Sequence, residues 1–355
     1  AVLGLVLLVD LWLWLRFPNV PPKRGQDVLP ALNILVAVRN EAHNVEQLIA
    51  HLSDLDYPAD LLQILIGDDG SSDLTLTKLK ELVSNDQRFK LVDIDPQGPL
   101  VGKARVIAQL VGHANAPYML ITDADVRVPT TWAREMVAHL QPDLGVWGGC
   151  TAVVGDSLWS KLQNMDWMLA QGMLLSAQRS YKTLAVSGTN MGISREACEA
   201  IGGYDQIPYP LTEDIGFLTA AGKSGFTAQL IFNPRACAKI PPQENWSTLI
   251  KQRARWTYGA LKLPGVVVLM LTLRAIAVPL MIGISLLNPL VALVAYLLRQ
   301  IIQWGIINKT AKSLDQTTSL MSFMVFEVYY SLVTLGGLIL YLLPIKITWK
   351  NRRYL

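Results

Sequence analysis

The distribution of apolar residues along the chain constrains its fold more than any other feature. Residues 1–15 and 263–343 are nearly free of acids, whereas 16–262 carry the mixture of an ordinary soluble domain. A long acid-poor stretch needs an environment that takes apolar surface out of water on all sides, and a bilayer supplies one. The chain as a whole has 51% hydrophobic and 17% charged residues, against about 25% charged in typical globular proteins. The excess lies at the two ends, so the sequence predicts a soluble domain over 30–256 held between membrane segments.

Residues 1–17 read as a transmembrane anchor, apolar apart from Asp10, carrying Trp12 and Trp14 and ending at Arg16 before a proline-rich linker. A signal peptide would carry its basic residue ahead of the apolar run, and here it follows. Toward the other end, 257–274 is expected to form an interfacial helix, because the apolar run 263–273 is short and bounded by Lys262, Pro264 and Arg274. Within 275–345, the stretches 275–298 and 321–343 are each long enough to cross a hydrocarbon core of roughly 30 Å. A third crossing arises if the first is split at Asn288-Pro289. Arg16, Lys23 and Arg24 after the anchor and the basic tail 346–355 should face the cytoplasm. An even number of C-terminal crossings satisfies both, and it leaves Lys309 and Lys312 on the opposite side.

Composition also excludes some classes. The formal charge is only +3, and the basic residues are scattered rather than striped with aromatics, so no nucleic-acid partner is expected. Cys150, Cys198 and Cys237 show no paired spacing and fit a reducing compartment. The four histidines, His43, His51, His113 and His139, lack the spacing of a metal site.

Within the soluble domain, short β-branched runs at 33–38, 62–66, 90–94 and 118–122 alternate with helical periodicity at 41–53, 74–83 and 103–113. This β-α-β order implies an α/β fold with a mostly parallel sheet, whose ligands bind beyond the carboxyl ends of the strands. Asp68-Asp69 and Asp123-Ala124-Asp125 both fall at such ends.

Asp123 and Asp125 are spaced so that two carboxylates can reach one hard cation, magnesium or manganese, that also binds diphosphate oxygens. Asp68 and Asp69 could accept from the imide of a base or from ribose hydroxyls, although acids in a turn also serve as simple turn formers. Lys103, at a helix start after Gly102, could reach a phosphate or the base, or stand solvated. Thr212-Glu213-Asp214 opens an apolar helix, so one of its acids can be a general base, with N-capping as the ordinary alternative. Gln252-Arg253-Ala254-Arg255-Trp256 suits a diphosphate leaving group and an acceptor stacked on indole, or else an interfacial basic-aromatic helix. Segment 157–182, with Trp159, Met165, Trp167 and Met168 beside Gly172, could lie on the bilayer near a lipid acceptor or form an ordinary core helix.

Taken together, the first Asp, Asp-x-Asp, Glu-Asp and Gln-x-x-Arg-Trp resemble the motif set of the family-2, processive-type inverting glycosyltransferases, over about residues 33–256. Val38-Arg39-Asn40-Glu41, Ser187-Gly188-Thr189-Asn190 and Gly202-Gly203-Tyr204-Asp205 are similar to supporting segments of that family. The resemblance implies a GT-A (Rossmann-like) fold and a UDP-sugar donor held by Arg39, Glu41, Asp68, Asp69, Lys103, Asp123, Gln252 and Arg255. It further implies a Mn2+ or Mg2+ ion at Asp123 and Asp125, Asp214 as the base, and Asn190, Glu213 and Trp256 on the acceptor side. The few membrane segments and the closing Trp349-Lys350-Asn351-Arg352-Arg353-Tyr354 look like bacterial enzymes that glycosylate lipids or carotenoid acids, and like ceramide glucosyltransferase. The expected protein is therefore a multi-pass enzyme of a bacterial inner membrane with its catalytic domain in the cytoplasm, moving one sugar to a membrane lipid with inversion. A processive polysaccharide synthase is the alternative, and a non-catalytic nucleotide-sugar binding protein is the alternative of another class.

Overall fold

In a computed structural model of the chain, residues 2–18, 28–97, 100–178, 180, 186–208, 210–343, 347–349 and 352–354 are described. Lys23, Arg24, Tyr209, Lys346, Lys350 and Asn351 lie outside them. The chain divides into two compact units, Val20–Ala152 with Lys182–Pro241, and Ala1–Asn19 with Val153–Tyr181 and Pro242–Leu355.

In chain order, helix α1 (Val2–Leu15) precedes β1 (Leu32–Val38), α2 (Val45–Ser53), β2 (Leu62–Asp68), α3 (Thr75–Leu82), β3 (Phe89–Val92), α4 (Gly102–His113) and β4 (Tyr118–Asp123). Next come α5 (Trp132–Val137), β5 (Leu144–Gly149), β6 (Thr151–Val153), α6 (Leu158–Gln178), β7 (Asn190–Ser194), α7 (Arg195–Ala200), α8 (Glu213–Lys223), β8 (Thr227–Ile231) and β9 (Ala238–Ile240). The chain closes with α9 (Trp246–Ala260), α10 (Gly265–Ser285), α11 (Pro289–Ser313), α12 (Leu320–Leu342), β10 (Ile347–Trp349) and β11 (Arg352–Tyr354).

The first unit is built on a seven-stranded sheet of order β3-β2-β1-β4-β7-β5-β8. β1, β2, β3 and β4 are mutually parallel as expected, and β7 runs antiparallel to both β4 and β5. The strands are apolar on both faces because both are covered. Ile34, Val36, Ile64, Ile66 and Leu120 pack with Val45, Leu48, Leu52, Leu79 and Trp132 on one side. Leu35, Leu65, Met119 and Ile121 pack with Val106, Ile107, Leu110, Phe217 and Leu218 on the other. Since β2, β1 and β4 lie side by side and parallel, their carboxyl ends bring Asp68-Asp69, Arg39 and Asp123 to one edge.

The second unit corrects two expected boundaries. The stretch 257–274 is not one interfacial helix, because α9 ends at Ala260 and α10 runs unbroken from Gly265 to Ser285. Arg274, read from the sequence as a boundary, is buried within α10 and ion-paired with Asp10 of α1, so its charge no longer ends an apolar helix. The expected crossing over 275–298 is likewise broken, with Pro289 at the first turn of α11 and the Asn288 side chain accepting from Val291 N at 3.2 Å. Among the described residues, three helices, of 21, 25 and 23 residues, are thus long and apolar enough to cross a membrane. The count matches the alternative in which the first stretch is split at Asn288-Pro289. Lys309 donates to the Trp14 carbonyl at 3.1 Å, which sets it at the Arg16 end of α1. Glu327 of α12 is paired with Arg299 of α11 at 3.4 Å and accepts from Gln300 at 3.1 Å.

Candidate active site

The site of the first unit begins with a lysine. Lys103, in the first turn of α4, extends its ammonium to Asp123 Oδ1 at 2.7 Å, Glu213 Oε1 at 3.0 Å and the Gly188 carbonyl at 3.0 Å. An ammonium has three donors, and each finds an acceptor here. Burial works against the charge, but Asp123 and Glu213 more than offset it and raise the lysine's pKa, so the group is cationic at any physiological pH.

Gly188 ties this cation to the next carboxylate. Its carbonyl accepts from Lys103, and its N–H donates to Asp214 Oδ2 at 2.9 Å. A side chain there would crowd the three groups, since an added Cβ would lie 3.0 Å from Glu213 Oε1, 3.3 Å from Lys103 Nζ and 3.4 Å from Asp214 Cβ. Asp214 Oδ1 also accepts from Ile215 N at 2.8 Å. Burial, reinforced by the neighbouring Glu213 charge, pushes the Asp214 carboxyl up to about 6, against the lowering effect of the two N–H groups and Lys103. Thr212, the other capping candidate at this helix start, makes no side-chain cap bond. Tyr204, from the Gly-Gly-Tyr-Asp segment, is buried and stacks on Phe217 of α8 at 5.3 Å, which holds the helix behind these acids.

A second cluster surrounds Asp69, which is 5% exposed. Arg105 Nη2 lies 2.7 Å from Asp69 Oδ1, and Arg39 donates to the Asp69 carbonyl at 2.8 Å with its guanidinium 3.6 Å from Oδ2. Asp68 instead accepts from the N–H of Ser71 at 2.9 Å and from its hydroxyl, closing the turn after β2. Its carboxylate thus does the work of a turn former, the alternative noted from the sequence. Glu41 is buried, accepting from Asn44 at 2.6 Å while its N–H donates to Thr75. That position braces the loop after β1 against the loop after β2.

Asn190 is fully buried, with its amide oxygen accepting from Trp132 Nε1 at 2.8 Å and its nitrogen donating to the Cys150 and Ala236 carbonyls. The expected acceptor contact therefore gives way to a supporting role at the start of β7. Asp125, by contrast, is exposed on the turn after β4. Among the described residues no three His, Cys, Asp or Glu side chains gather into a metal cage. Asp123 and Asp125 offer hard carboxylate oxygens at the end of β4, a donor chemistry that fits magnesium or manganese.

Gln252, Arg255 and Trp256 lie on α9, in the second unit. Two residues that the sequence reasoning did not single out stand in these clusters: Arg105 beside Asp69, and Arg253, whose guanidinium meets Asp166. Arg105 sits two positions after Lys103, and that basic pair at a helix start was the available signal.

Comparison with known proteins adds to this geometry. The model of the family described as glycosyl transferase family 21 matches residues 3–355. Among curated proteins, the chain is 26% identical over 247 residues to a probable glycosyltransferase, YdaM, of Bacillus subtilis, covering 68% of this chain and 58% of that one. It is 22% identical over 297 residues to a beta-monoglucosyldiacylglycerol synthase of Synechocystis sp., covering 73% and 59%. The chain thus spans less than two thirds of the length of these relatives. Among solved structures, a mannosyltransferase of Pyrobaculum calidifontis, in complex with GDP-Man and Mn2+, superposes with a TM-score of 0.60 at 17% identity, covering 96% of this chain and 95% of that one. The fold is therefore GT-A.

Proposed function

The chain belongs to glycosyl transferase family 21, and from that premise we propose that it moves one sugar from a UDP-sugar to a membrane lipid with inversion at the anomeric carbon. The observation that carries this reading is the cluster around Lys103, whose ammonium meets Asp123, Glu213 and the Gly188 carbonyl while the Gly188 N–H donates to Asp214, all at 2.7 to 3.0 Å.

Asp214 is the general base. A carboxyl raised to about 6 is ionised at neutral pH yet basic enough to take the proton of an acceptor hydroxyl as it attacks. The acceptor oxygen forms its bond to the anomeric carbon while the bond from that carbon to the diphosphate oxygen breaks, and UDP departs. Asp123 and Asp125 would hold Mn2+ or Mg2+, which supplies charge neutralisation to the diphosphate. Lys103 adds a fixed positive charge beside Asp123 and keeps Glu213 in place next to the base. Asp69, held by Arg39 and Arg105, is assigned to the nucleoside, and Gln252, Arg255 and Trp256 to the diphosphate and acceptor. Asp68, Glu41 and Asn190 support the loops that carry these groups.

Two observations support a lipid acceptor. One is the relative named beta-monoglucosyldiacylglycerol synthase, and the other is the set of long apolar helices. The same features favour a catalytic domain on the cytoplasmic side of a cell membrane, where Arg16 and Lys309 mark one end of the helices.

The test is to incubate detergent-solubilised protein, manganese and total membrane lipid with a panel of UDP- and GDP-sugars, following nucleotide release and the mass of the lipid fraction. A lipid gaining one hexose from a UDP-sugar supports the reading. A ladder of hexoses would replace it with a processive synthase, and exclusive use of a GDP-sugar would overturn the donor assignment.

A further inference from the structure

Arg253 stands inside the Gln-x-x-Arg-Trp segment at a position the motif leaves open, yet its guanidinium meets three neighbours, Asp166, Gln252 and Trp256. Its Nη2 and Nε lie 2.7 and 3.2 Å from Asp166 Oδ2 on α6, and both side chains are 9% exposed. Its Nη1 donates to Gln252 Oε1 at 2.6 Å. The guanidinium carbon sits 3.9 Å from the centre of the Trp256 ring, and that indole meets Trp167 of α6 edge-on at 4.9 Å and 87°. One planar group thus touches the first and the last residue of the motif while an adjacent pair on α6, Asp166 and Trp167, grips the two residues Arg253 and Trp256 from the other side.

The packing around this group leaves it no freedom. Ile250 of α9 faces Gly336, and Arg253 faces Gly337, both of α12. A Cβ added at Gly337 would lie 2.9 Å from Arg253 Cβ and 3.3 Å from its backbone carbon, so α12 comes as near to α9 as a helix can. With its oxygen held by a guanidinium donor, the Gln252 amide must present its N–H groups outward. An amide turned that way has its N–H groups available to donate to an anion, while one lone pair of its oxygen is taken by the guanidinium. The indole face over Arg253 is likewise covered by the cation.

We propose that Arg253, anchored by Asp166, is a positioning residue for sugar transfer, which polarises the Gln252 amide as a donor toward the diphosphate and fixes the Trp256 indole for the acceptor. The inference rests on the assignment of Gln252 and Trp256 to transfer. It adds that their orientation is set by an ion pair between α9 and α6. Asp166 and Arg253 are 87 positions apart in the chain, and neither touches the substrate in this account.

The test compares Arg253→Lys, Asp166→Asn, Gln252→Leu, Trp256→Ala and the double variant Arg253→Lys/Gln252→Leu in the full-length protein in detergent. Thermal midpoints are measured beside kcat and KM for donor and acceptor. Lysine keeps the charge opposite Asp166 and loses the planar fork that reaches Gln252. Arg253→Lys should therefore keep a midpoint close to that of the parent while kcat/KM falls by about 10- to 100-fold. The double variant should lose little beyond Gln252→Leu alone, because the arginine acts through the amide. A merely structural arginine would give the opposite pattern, with a lowered midpoint, full kcat/KM per folded molecule and additive losses, and that pattern overturns the proposal. If Gln252→Leu and Trp256→Ala retain full turnover, the assignment of the motif to transfer fails and takes this inference with it. If those two variants lose activity and Arg253→Lys does not, only this inference fails.

Discussion

Lys103 and Glu213 are 110 positions apart in sequence and 3.0 Å apart in space, and the same ammonium lies 2.7 Å from Asp123. A cation shared in this way joins the carboxylate assigned to the metal with the acid that precedes the base. Removing it leaves two acids with a common missing partner. Lys103→Met should reduce kcat/KM by about 100- to 1000-fold, with Lys103→Arg recovering part of the loss. Steady-state kinetics on both variants checks this.

Asp214 sets a pH dependence. With its carboxyl raised to about 6, kcat should rise with pH through that value and level off above it, following one ionisation. Asp214→Asn should lower turnover by about 100- to 10,000-fold and leave UDP binding intact by calorimetry. Retained turnover in that variant would remove Asp214 from the role of base.

The same carboxyl links pH to stability in the less usual direction. Its folded value lies above the ordinary 3.8, so between 3.8 and about 6 the folded protein holds a proton that the unfolded chain has released. This group's contribution to stability therefore falls as pH rises through that window. Asp214→Asn should raise the thermal midpoint at pH 7, and the gain should shrink toward zero as the pH approaches 4.

Asp125 is exposed on the turn after β4, outside the apolar core, so a change there costs no core packing. Asp125→Asn should leave the midpoint unchanged and raise the manganese concentration needed for half-maximal nucleotide release. Treatment with a chelator should abolish release in the parent protein, and added manganese should restore it.

The helix boundaries make a topological prediction. Leu287 lies between α10 and α11 and Thr317 between α11 and α12, and both are exposed. Single cysteines at these positions should react with a membrane-impermeant maleimide from opposite faces of sealed vesicles, with Thr317→Cys on the Arg16 side. The native Cys150, Cys198 and Cys237 are buried and free, which keeps the background low.

How much of this was legible in the sequence depends on how far a residue's meaning lies from the residue itself. The strand ends at Asp69 and Asp123 could be read because alternating β and α periodicity is local, and a parallel sheet sends its carboxyl ends to one edge. The lysine at position 103 could be flagged, but not its bond to Glu213, since no local pattern pairs residues 110 positions apart. Arg274 misled the helix boundary for the same reason. A charge ends an apolar run unless a partner neutralises it, and that partner is Asp10. Asn190 was misread in the opposite sense, because a polar residue in a motif looks outward-facing until Trp132 and two carbonyls are found to occupy its amide.

The pair formed by Asp10 and Arg274 also bears on how the protein is made. Asp10 leaves the ribosome 264 residues ahead of its partner, and at about 5–20 residues per second that interval is roughly 15–50 s. Throughout that time the first helix carries a carboxyl without the guanidinium that neutralises it in the folded protein. The guanidinium arrives with α10, after residues 16–262 have been translated. The pair therefore joins the first helix to a residue that is made only after the intervening chain.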